Sequence, residues 1–218
     1  MNSLKKIAYS FLIVTLLSFC SSPHKGIIIL CAGDSITEAD YPRFLQRILN
    51  EEGIKAKVLN YGRSGNTSGE YLRFLKKNKS TLAEEQPDFV LLQLGTNDVR
   101  LDHDSTPSDQ FGINMKKIIK IFRTFQNRSG EATRIFLSLI PPIPGGSPFP
   151  FTDESSARVR NEINPLIQKI CVEEKIPLVD NYSFFLKSPH LLPEVHPNKE
   201  GYRSLAQNWY NSLKPLLK

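Results

Sequence analysis

The feature that most constrains the fold of this chain is a regular alternation of short apolar runs with amphipathic segments. The apolar runs have the length of strands and are rich in leucine and β-branched residues; they cover Gly26–Cys31, Lys55–Asn60, Asp88–Leu94, Arg134–Ile140 and Ile176–Asp180. Nearly continuous apolar runs are typical of strands buried on both faces of a sheet. The alternation therefore predicts an α/β fold, a three-layer α/β/α sandwich around a five-stranded parallel sheet.

Segments of helical length lie between these runs. Helices are predicted at about Tyr41–Glu52, Ser68–Asn78, Pro107–Phe125, Glu154–Glu174 and Lys199–Leu217. The third of them has a clear start, with Thr106 as an N-cap and Pro107 in the first turn. Pro141–Phe151 contains too many prolines and glycines for a helix or a central strand, so we expect a long loop after the fourth strand.

The composition fits one globular domain, which we place at residues 26–218. Of the 218 residues, 40% are hydrophobic and 23% are charged, and this balance excludes extended disorder. Lys5 and Lys6 contribute two of the formal net charge of +6, which leaves +4 for the rest of the chain. The remaining lysines are scattered as on solvated helix faces, so the charge does not indicate a nucleic-acid partner.

The N-terminus has the features of an export signal. Lys5 and Lys6 precede the apolar run Ile7–Phe19, which is shorter than the roughly 20 apolar residues of a membrane-spanning helix. We interpret residues 1–20 as a signal peptide and residues 21–25 as a short linker. The protein is therefore expected to be exported to the cell envelope, the periplasm or the medium.

The end of this signal resembles a bacterial lipobox. The resemblance implies that Cys20 is lipidated and that the mature protein is a membrane-anchored lipoprotein. Phe19 departs from the pattern, which usually has a small residue there, and ordinary cleavage after Cys20 is the alternative. The anchor is the only membrane contact that the sequence implies, and nothing in the sequence indicates an oligomeric state.

The remaining cysteines and most histidines do not form a recognisable site. Cys31 and Cys171 are interpreted as buried free thiols, with a disulfide between them as the alternative. His24, His103 and His190 have no second ligand at metal-binding spacing, and Asp102–Asp104 is interpreted as a solvated loop. We therefore predict no metal and no cofactor.

Chemically distinctive turns follow the first three strands and precede the last helix. They are Gly33–Thr37, Asn60–Thr67, Gly95–Asp98 and Glu194–Asn198. Each alone is weak evidence, because Gly-rich turns and Asn-Asp pairs are common in loops. Ligands of open parallel sheets bind beyond the carboxyl ends of the strands, so three such turns at that edge and a fourth before the last helix indicate a site.

Together these turns resemble the four sequence blocks of the SGNH hydrolases, also called GDSL esterases and lipases. The resemblance implies a flavodoxin-like fold and ester hydrolysis through an acyl-enzyme. It also implies the roles of four residues: Ser35 is the nucleophile, Gly65 and Asn97 join the Ser35 backbone N–H in the oxyanion hole, and His196 is the base. The ending His196–Tyr202 resembles the family's final block.

The physical chemistry of these residue types agrees with the roles. A serine at a strand-to-helix turn is exposed at the rim of the sheet, a glycine lets the backbone approach a ligand closely, and an amide offers uncharged N–H donors. Histidine can exchange a proton with serine near neutral pH.

The alternative for Ser35 is a helix N-cap. Asp34 and Asp98 are predicted to tie their loops through backbone hydrogen bonds.

The triad acid departs from the family pattern. The family usually has an aspartate three residues before the histidine, and Pro193 stands there. Glu194 would take its place if the turn is one residue shorter and lets the carboxylate reach the imidazole. A Ser35–His196 dyad oriented by a backbone carbonyl near Pro193, or a degenerate site, are the alternatives.

The substrate is less clearly encoded than the catalytic groups. The segment after the fourth strand and Arg160–Pro165 resemble family members that deacetylate carbohydrates, which implies an acetyl or other short-chain ester, with a lipid acylhydrolase as the alternative. A flavodoxin-type phosphate loop at Ser64–Thr67 is disfavoured because it follows the second strand instead of the first. A surface binding module on an inactive scaffold is disfavoured by the intact catalytic residues.

Overall fold

A sheet of five parallel strands forms the centre of the protein, as the alternation predicts. The computed structural model describes residues 26–217, and the sheet has the strand order β2-β1-β3-β4-β5. The strands are β1 (Ile27–Gly33), β2 (Ala56–Gly62), β3 (Phe89–Gln93), β4 (Arg134–Ser138) and β5 (Leu178–Val179). The proposed signal peptide, Cys20, the linker with His24, and residue 218 lie outside the described residues.

Nine α-helices in the described residues flank or cap the sheet. They are α1 (Ser35–Glu38), α2 (Tyr41–Glu51), α3 (Ser68–Lys77), α4 (Lys79–Glu84), α5 (Ser108–Phe122), α6 (Asp153–Arg158), α7 (Asn164–Glu174), α8 (Asn181–Lys187) and α9 (Lys199–Leu213). A turn of π-helix at Val159–Ile163 joins α6 to α7, so the long helix predicted over 154–174 has a wider turn in its middle. The short helices α1, α4 and α8 were not predicted, because four to seven residues carry too little periodicity.

Six of the ten predicted helix ends differ from the observed ones, by one to four residues. The start of α5 lies one residue later than expected, with Pro107 in the capping position and no side-chain cap. Thr106 instead donates its backbone N–H to the Asp98 carbonyl. The last predicted helix ends at Leu213 and continues as a 3-10 turn at Lys214–Leu216. No helix among residues 26–217 combines the length and apolar character needed to cross a membrane.

Each face of the sheet carries its own apolar core. Leu30 and Leu92 point to one face and pack with helical side chains such as Phe111, while Ile29 and Leu91 point to the other face and pack with residues such as Trp209. Because successive side chains of a strand alternate between faces, burial of both faces requires apolar residues at nearly every position.

The two described cysteines are free and lie in different cores, Cys31 with Trp209 and Cys171 with Phe111. Burial raises the pKa of the Cys31 thiol to about 12 and that of Cys171 to about 11. The interpretation as buried thiols is confirmed, and the disulfide alternative is wrong because the sheet separates the two side chains.

The pairing of β1 with its two neighbours brings three strand ends level. Gly33 at the end of β1 pairs with Gly62 of β2 on one side and with Gln93 of β3 on the other. The turns that follow these strands therefore begin at the same edge of the sheet, and the backbones around Gly33 are close. An added Cβ at Gly33 would lie 2.0 Å from the Gln93 carbonyl oxygen and 2.3 Å from Thr37 Oγ1.

We expect Gly33→Ala to lower the free energy of unfolding by about 1–3 kcal/mol or more, because the Gln93 carbonyl belongs to a central strand and cannot move freely. Gly112→Ala in α5 is the matched control: its Cβ meets its nearest atom at 4.0 Å, and removal of a helical glycine is expected to stabilise by about 0.5–1 kcal/mol. Urea unfolding of both variants measures these changes. Equal stability of the two variants would contradict the close approach at Gly33.

Candidate active site

Ser35 lies directly beyond the carboxyl end of β1, as the first residue of α1. The capping position belongs to Asp34, whose Oδ1 accepts a hydrogen bond from the Ile36 N–H at 3.0 Å. The alternative role of Ser35 as the N-cap is therefore wrong, and the predicted loop-tying role of Asp34 is confirmed. The Ser35 side chain is half-buried and remains available for chemistry.

His196 lies opposite this serine, although 161 residues separate them in the chain. The Ser35 Oγ and His196 Nε2 atoms are 2.8 Å apart, which is hydrogen-bond distance. The turn that carries His196 is held by Asn198, which caps α9 through the Gly201 N–H and donates its side-chain amide to the His190 carbonyl. Fixed in this way, the imidazole is positioned to take the serine proton.

Asn97 begins a short 3-10 turn, Asn97–Val99, beyond β3. Its side-chain amide donates a hydrogen bond to the Asn66 carbonyl at 3.0 Å, and the residue is 5% exposed. An asparagine amide has two N–H groups, so this contact orients the amide and leaves one donor. It also links the turn after β3 to the turn after β2.

Gly65 lies at the tip of the turn after β2. The Asn66 N–H donates to the Arg63 carbonyl, and Gly65 has a φ of +75°, as in the third position of a type II turn. An added Cβ would meet nothing within 4 Å. The requirement for glycine here therefore comes from the backbone conformation and not from lack of space.

Asp98 joins the turns that carry the proposed oxyanion donors. Its carboxylate accepts the Ser68 N–H at 2.9 Å and the Ser68 hydroxyl at 2.6 Å, which fixes the start of α3 beside the turn after β3. Arg158 of α6 donates to the carbonyls of Asp98 and Thr106. Burial raises the pKa of Asp98, while the Ser68 hydrogen bonds oppose the shift. The predicted loop-tying role of Asp98 is confirmed.

Glu194, the expected triad acid, is exposed and does not contact His196 through its carboxylate. Among the described residues, neither a hydrogen bond nor an ion pair joins its carboxylate to His196, and the Nδ1 atom of His196 has no hydrogen-bond partner. The structure thus shows a Ser35–His196 pair without the carboxylate contact of a triad. Neither does it show the backbone-carbonyl contact to Nδ1 that the dyad alternative requires.

Glu194 instead lines a cavity of about 390 Å³ next to His196. The other walls are the loop residues 145–151 and the neighbouring residues Pro193 and Val195. The sequence predicts a loop here, and the start of that loop resembles carbohydrate deacetylases. Its proline and glycine content signalled an irregular backbone but not its position beside the base.

The groups that could hold a metal ion lie in another loop. One ligand atom from each of Asp102, His103 and Asp104 falls within 4.8 Å of the others. The Arg100 guanidinium bonds both Asp102 oxygens and lies 3.7 Å from Asp104, and it lowers the pKa of Asp102. The cluster is therefore explained by pairing with an arginine.

Comparison with known proteins agrees with this geometry. The model of the GDSL-like lipase/acylhydrolase family matches residues 31–204, which contain the serine, glycine, asparagine and histidine blocks. The chain belongs to this family. The resemblance to SGNH hydrolases is thereby confirmed, and so is the α/β fold that it implied.

Three similar proteins illustrate the range of this family. A multidomain esterase from Ruminococcus flavefaciens is 26% identical over 132 residues, which are 61% of this chain and 16% of that protein. A lipase/acylhydrolase from Enterococcus faecalis has a TM-score of 0.69 at 24% identity, with 88% of this chain and 97% of that chain covered. A carbohydrate acetylesterase family member from Sinorhizobium meliloti has a TM-score of 0.70 at 17% identity, with 88% and 99% covered.

Asp34 is the buried titratable group closest to the nucleophile in the chain, and burial raises its pKa to about 6. The folded protein therefore holds this proton between about pH 4 and pH 6, where the unfolded chain has lost it. The stability contributed by this group is full below about pH 4 and is lost as the pH rises through 6. The loss is on the order of 3 kcal/mol.

Asp34→Asn keeps an oxygen acceptor for the Ile36 N–H but cannot ionise. We expect the variant to gain stability relative to the unchanged protein as the pH rises from 4 to 7, because it avoids burial of a charge. Denaturant unfolding at several pH values measures this difference, and the other acidic groups of the fold, Asp98 included, are present in both proteins. Parallel pH profiles for the two proteins would refute the assignment.

Proposed function

We propose that this protein hydrolyses carboxylic esters through an acyl-enzyme formed on Ser35. The observation that carries the proposal is the 2.8 Å distance between Ser35 Oγ and His196 Nε2 at the carboxyl edge of the sheet. A serine hydroxyl is a poor nucleophile unless a base removes its proton, and this pair supplies both groups. The chain matches only 16% of the length of the multidomain esterase.

The reaction begins when His196 Nε2 takes the proton of Ser35 as Oγ attacks the ester carbonyl. The oxyanion that forms would accept hydrogen bonds from the backbone N–H groups of Ser35 and Gly65 and from the free N–H of Asn97. The imidazolium then returns its proton to the alcohol oxygen as the ester bond breaks. In the second half of the reaction, water attacks the acyl-enzyme while His196 takes its proton. The imidazolium then returns a proton to Ser35 Oγ, and the acid is released.

We further infer that His196 acts on Ser35 as a dyad in the conformation described. The absence of a described partner at Nδ1 supports this version over a Glu194 triad. The firmly capped turn before α9 would limit the motion of the ring in place of a carboxylate. A triad acid orients the histidine and also stabilises the imidazolium that forms. A dyad lacks this stabilisation of the imidazolium by a carboxylate.

The acyl group that we propose is short, with acetyl esters of carbohydrates as the preferred class. The similarity to a carbohydrate acetylesterase family member supports this choice. The segment after β4 also supports it: Ile140, two residues beyond the strand end, is bound through both its N–H and its carbonyl by the Asn164 side chain. Asn164 belongs to the Arg160–Pro165 segment that resembles carbohydrate deacetylases.

Hydrolysis of a series of p-nitrophenyl esters tests the nucleophile and the chain length together. We expect acetyl esters to be cleaved faster than long-chain esters, and Ser35→Ala to abolish cleavage because no other hydroxyl of residues 26–217 is bonded to His196 Nε2. Ser129→Ala is the matched control, since this exposed serine lies in a distant turn. Preference for long chains would refute the acetyl-ester version, and an active Ser35→Ala variant would refute the mechanism.

Asn97→Ala tests the oxyanion hole separately. We expect kcat to fall roughly 100- to 1000-fold, because the amide donor stabilises charge that develops only in the transition state, while KM changes little. Urea unfolding must be measured as well, since the variant also loses the hydrogen bond to the Asn66 carbonyl. An unchanged kcat in a folded variant would exclude this amide from the oxyanion hole.

A further inference from the structure

A cavity of about 390 Å³ opens beside the imidazole, and the proposed reaction gives it no occupant so far. Pro193, Glu194, Val195 and His196 form one wall, and residues 145–151 form the other. The loop 145–151 comes after β4, and Pro193–His196 comes after β5. The three proposed oxyanion donors belong instead to the turns after β1, β2 and β3. The cavity and the oxyanion donors therefore lie on different sides of the site.

We propose that this cavity binds the alcohol part of the ester as a polyhydroxylated ring, that Glu194 accepts hydrogen bonds from its hydroxyls, and that Phe149 covers its apolar face. The proposal rests on the ester hydrolysis proposed above and names the part of the substrate that this chain selects. It assigns Glu194 to the substrate instead of to His196.

The position of His196 explains why the alcohol occupies this side. The imidazole must protonate the departing alcohol oxygen, so that oxygen has to be within hydrogen-bond reach of Nε2. The carbonyl oxygen points to the donors beyond β1, β2 and β3. An alcohol attached to the departing oxygen extends past the ring of His196, which is itself part of the cavity wall.

The chemistry of the walls selects a sugar-like alcohol. Glu194 is exposed and forms no hydrogen bond or ion pair among the described residues, so both carboxylate oxygens can accept hydrogen bonds from hydroxyl groups. Phe149 is 68% exposed, and Phe151 and three prolines add apolar surface. A pyranose ring matches this combination, since its hydroxyls lie around the edge and its faces carry C–H groups.

A cationic alcohol such as choline is the competing match for a carboxylate beside an aromatic ring. Two features disfavour it. Without the proposed signal peptide the formal net charge is +4, which does not attract cations, and among residues 26–217 the only phenylalanines that line the cavity are Phe149 and Phe151. Recognition of a quaternary ammonium usually uses a cage of several aromatic rings.

The loop wall is fixed before substrate binds. The Leu101 N–H donates to the Pro150 carbonyl at 3.0 Å, and the Ser147 hydroxyl donates to the Pro144 carbonyl at 2.8 Å. Asp153 at the start of α6 accepts the Gly146 N–H. A binding surface that is already ordered loses less conformational entropy when it binds a ligand, so this loop is suited to specificity.

Glu194→Gln tests the assignment with two acetyl esters that differ only in the alcohol. For acetylated xylobiose and for p-nitrophenyl acetate, kcat/KM is measured in the unchanged protein and in the variant. We expect the ratio of the sugar value to the aryl value to fall at least tenfold, because p-nitrophenol has no hydroxyl for Glu194. Glu84→Gln, an exposed glutamate in α4, is the control and should leave the ratio unchanged.

Phe149→Ala tests the apolar face in the same assay. We expect KM for acetylated xylobiose to rise by a larger factor than kcat falls, since the ring contributes to binding and does not touch the reacting atoms. Val172→Ala is the matched control, because Val172 is 79% exposed on α7, outside the cavity. A Phe149→Ala variant with unchanged KM for the sugar would exclude the stacking role.

Other outcomes overturn the proposal in distinguishable ways. An equal fall in kcat on both esters would return Glu194 to the role of positioning His196. If the Glu194→Gln variant is active and its ratio of sugar to aryl kcat/KM is unchanged, the sugar subsite is refuted while ester hydrolysis stands. The same follows if acetylcholine is tested as a third ester and kcat/KM falls for that ester alone. If the unchanged protein shows no Ser35-dependent cleavage of p-nitrophenyl acetate, the proposed function itself fails.

Calorimetry then tests the sugar subsite without catalysis, by measuring the affinity of Ser35→Ala and of Ser35→Ala/Glu194→Gln for acetylated xylobiose. Equal affinities of the two variants would refute the subsite.

Discussion

The level pairing of β1 with β2 and β3 is the constraint on which the site depends. Gly33 pairs with Gly62 and with Gln93, so three chain segments leave the sheet at one height. Parallel strands do not join through tight hairpins, and the turns that begin here are brought together by the sheet and not by their own sequences. The residues of the proposed catalytic apparatus from β1, β2 and β3 are neighbours for this reason.

Hydrogen bonds between the turns then give the edge its rigidity. Asn97 is bonded to the Asn66 carbonyl, Asp98 to Ser68, and Arg158 to the backbone on both sides of the Asp98 loop. Electrostatic stabilisation of an oxyanion requires donors that are already oriented, because reorientation during the reaction costs free energy. Asp34 and Asp98 hold these turns through buried carboxylates, and burial raises the pKa of both. The raised pKa values reflect the free energy that is needed to keep an ionised carboxylate away from water.

The five strands and the order of the chemically distinctive turns could be predicted from the sequence, because each follows from a local pattern. The roles proposed for Ser35, Gly65, Asn97 and His196 follow from the resemblance of those turns to the family. Strand burial requires continuous apolar runs, and the four blocks have a characteristic order. Strand and helix ends were less accurate: α5 begins at Ser108 because Pro107 takes the capping position, and π-helical geometry at Val159–Ile163 interrupts a segment whose periodicity is continuous. Hydrogen bonding at a helix end or at a π turn is not visible in residue periodicity.

What the sequence by itself determined was the fold class, the family and the two residues that we propose as nucleophile and base. What only the tertiary structure decided was where the Glu194 carboxylate points and what faces it. One residue separates Glu194 from His196, and the reach of a side chain across so short a turn depends on backbone angles that the sequence does not specify. The wall opposite Glu194 comes from residues 145–151, more than 40 positions earlier, and only the packing of β4 beside β5 brings the two segments together.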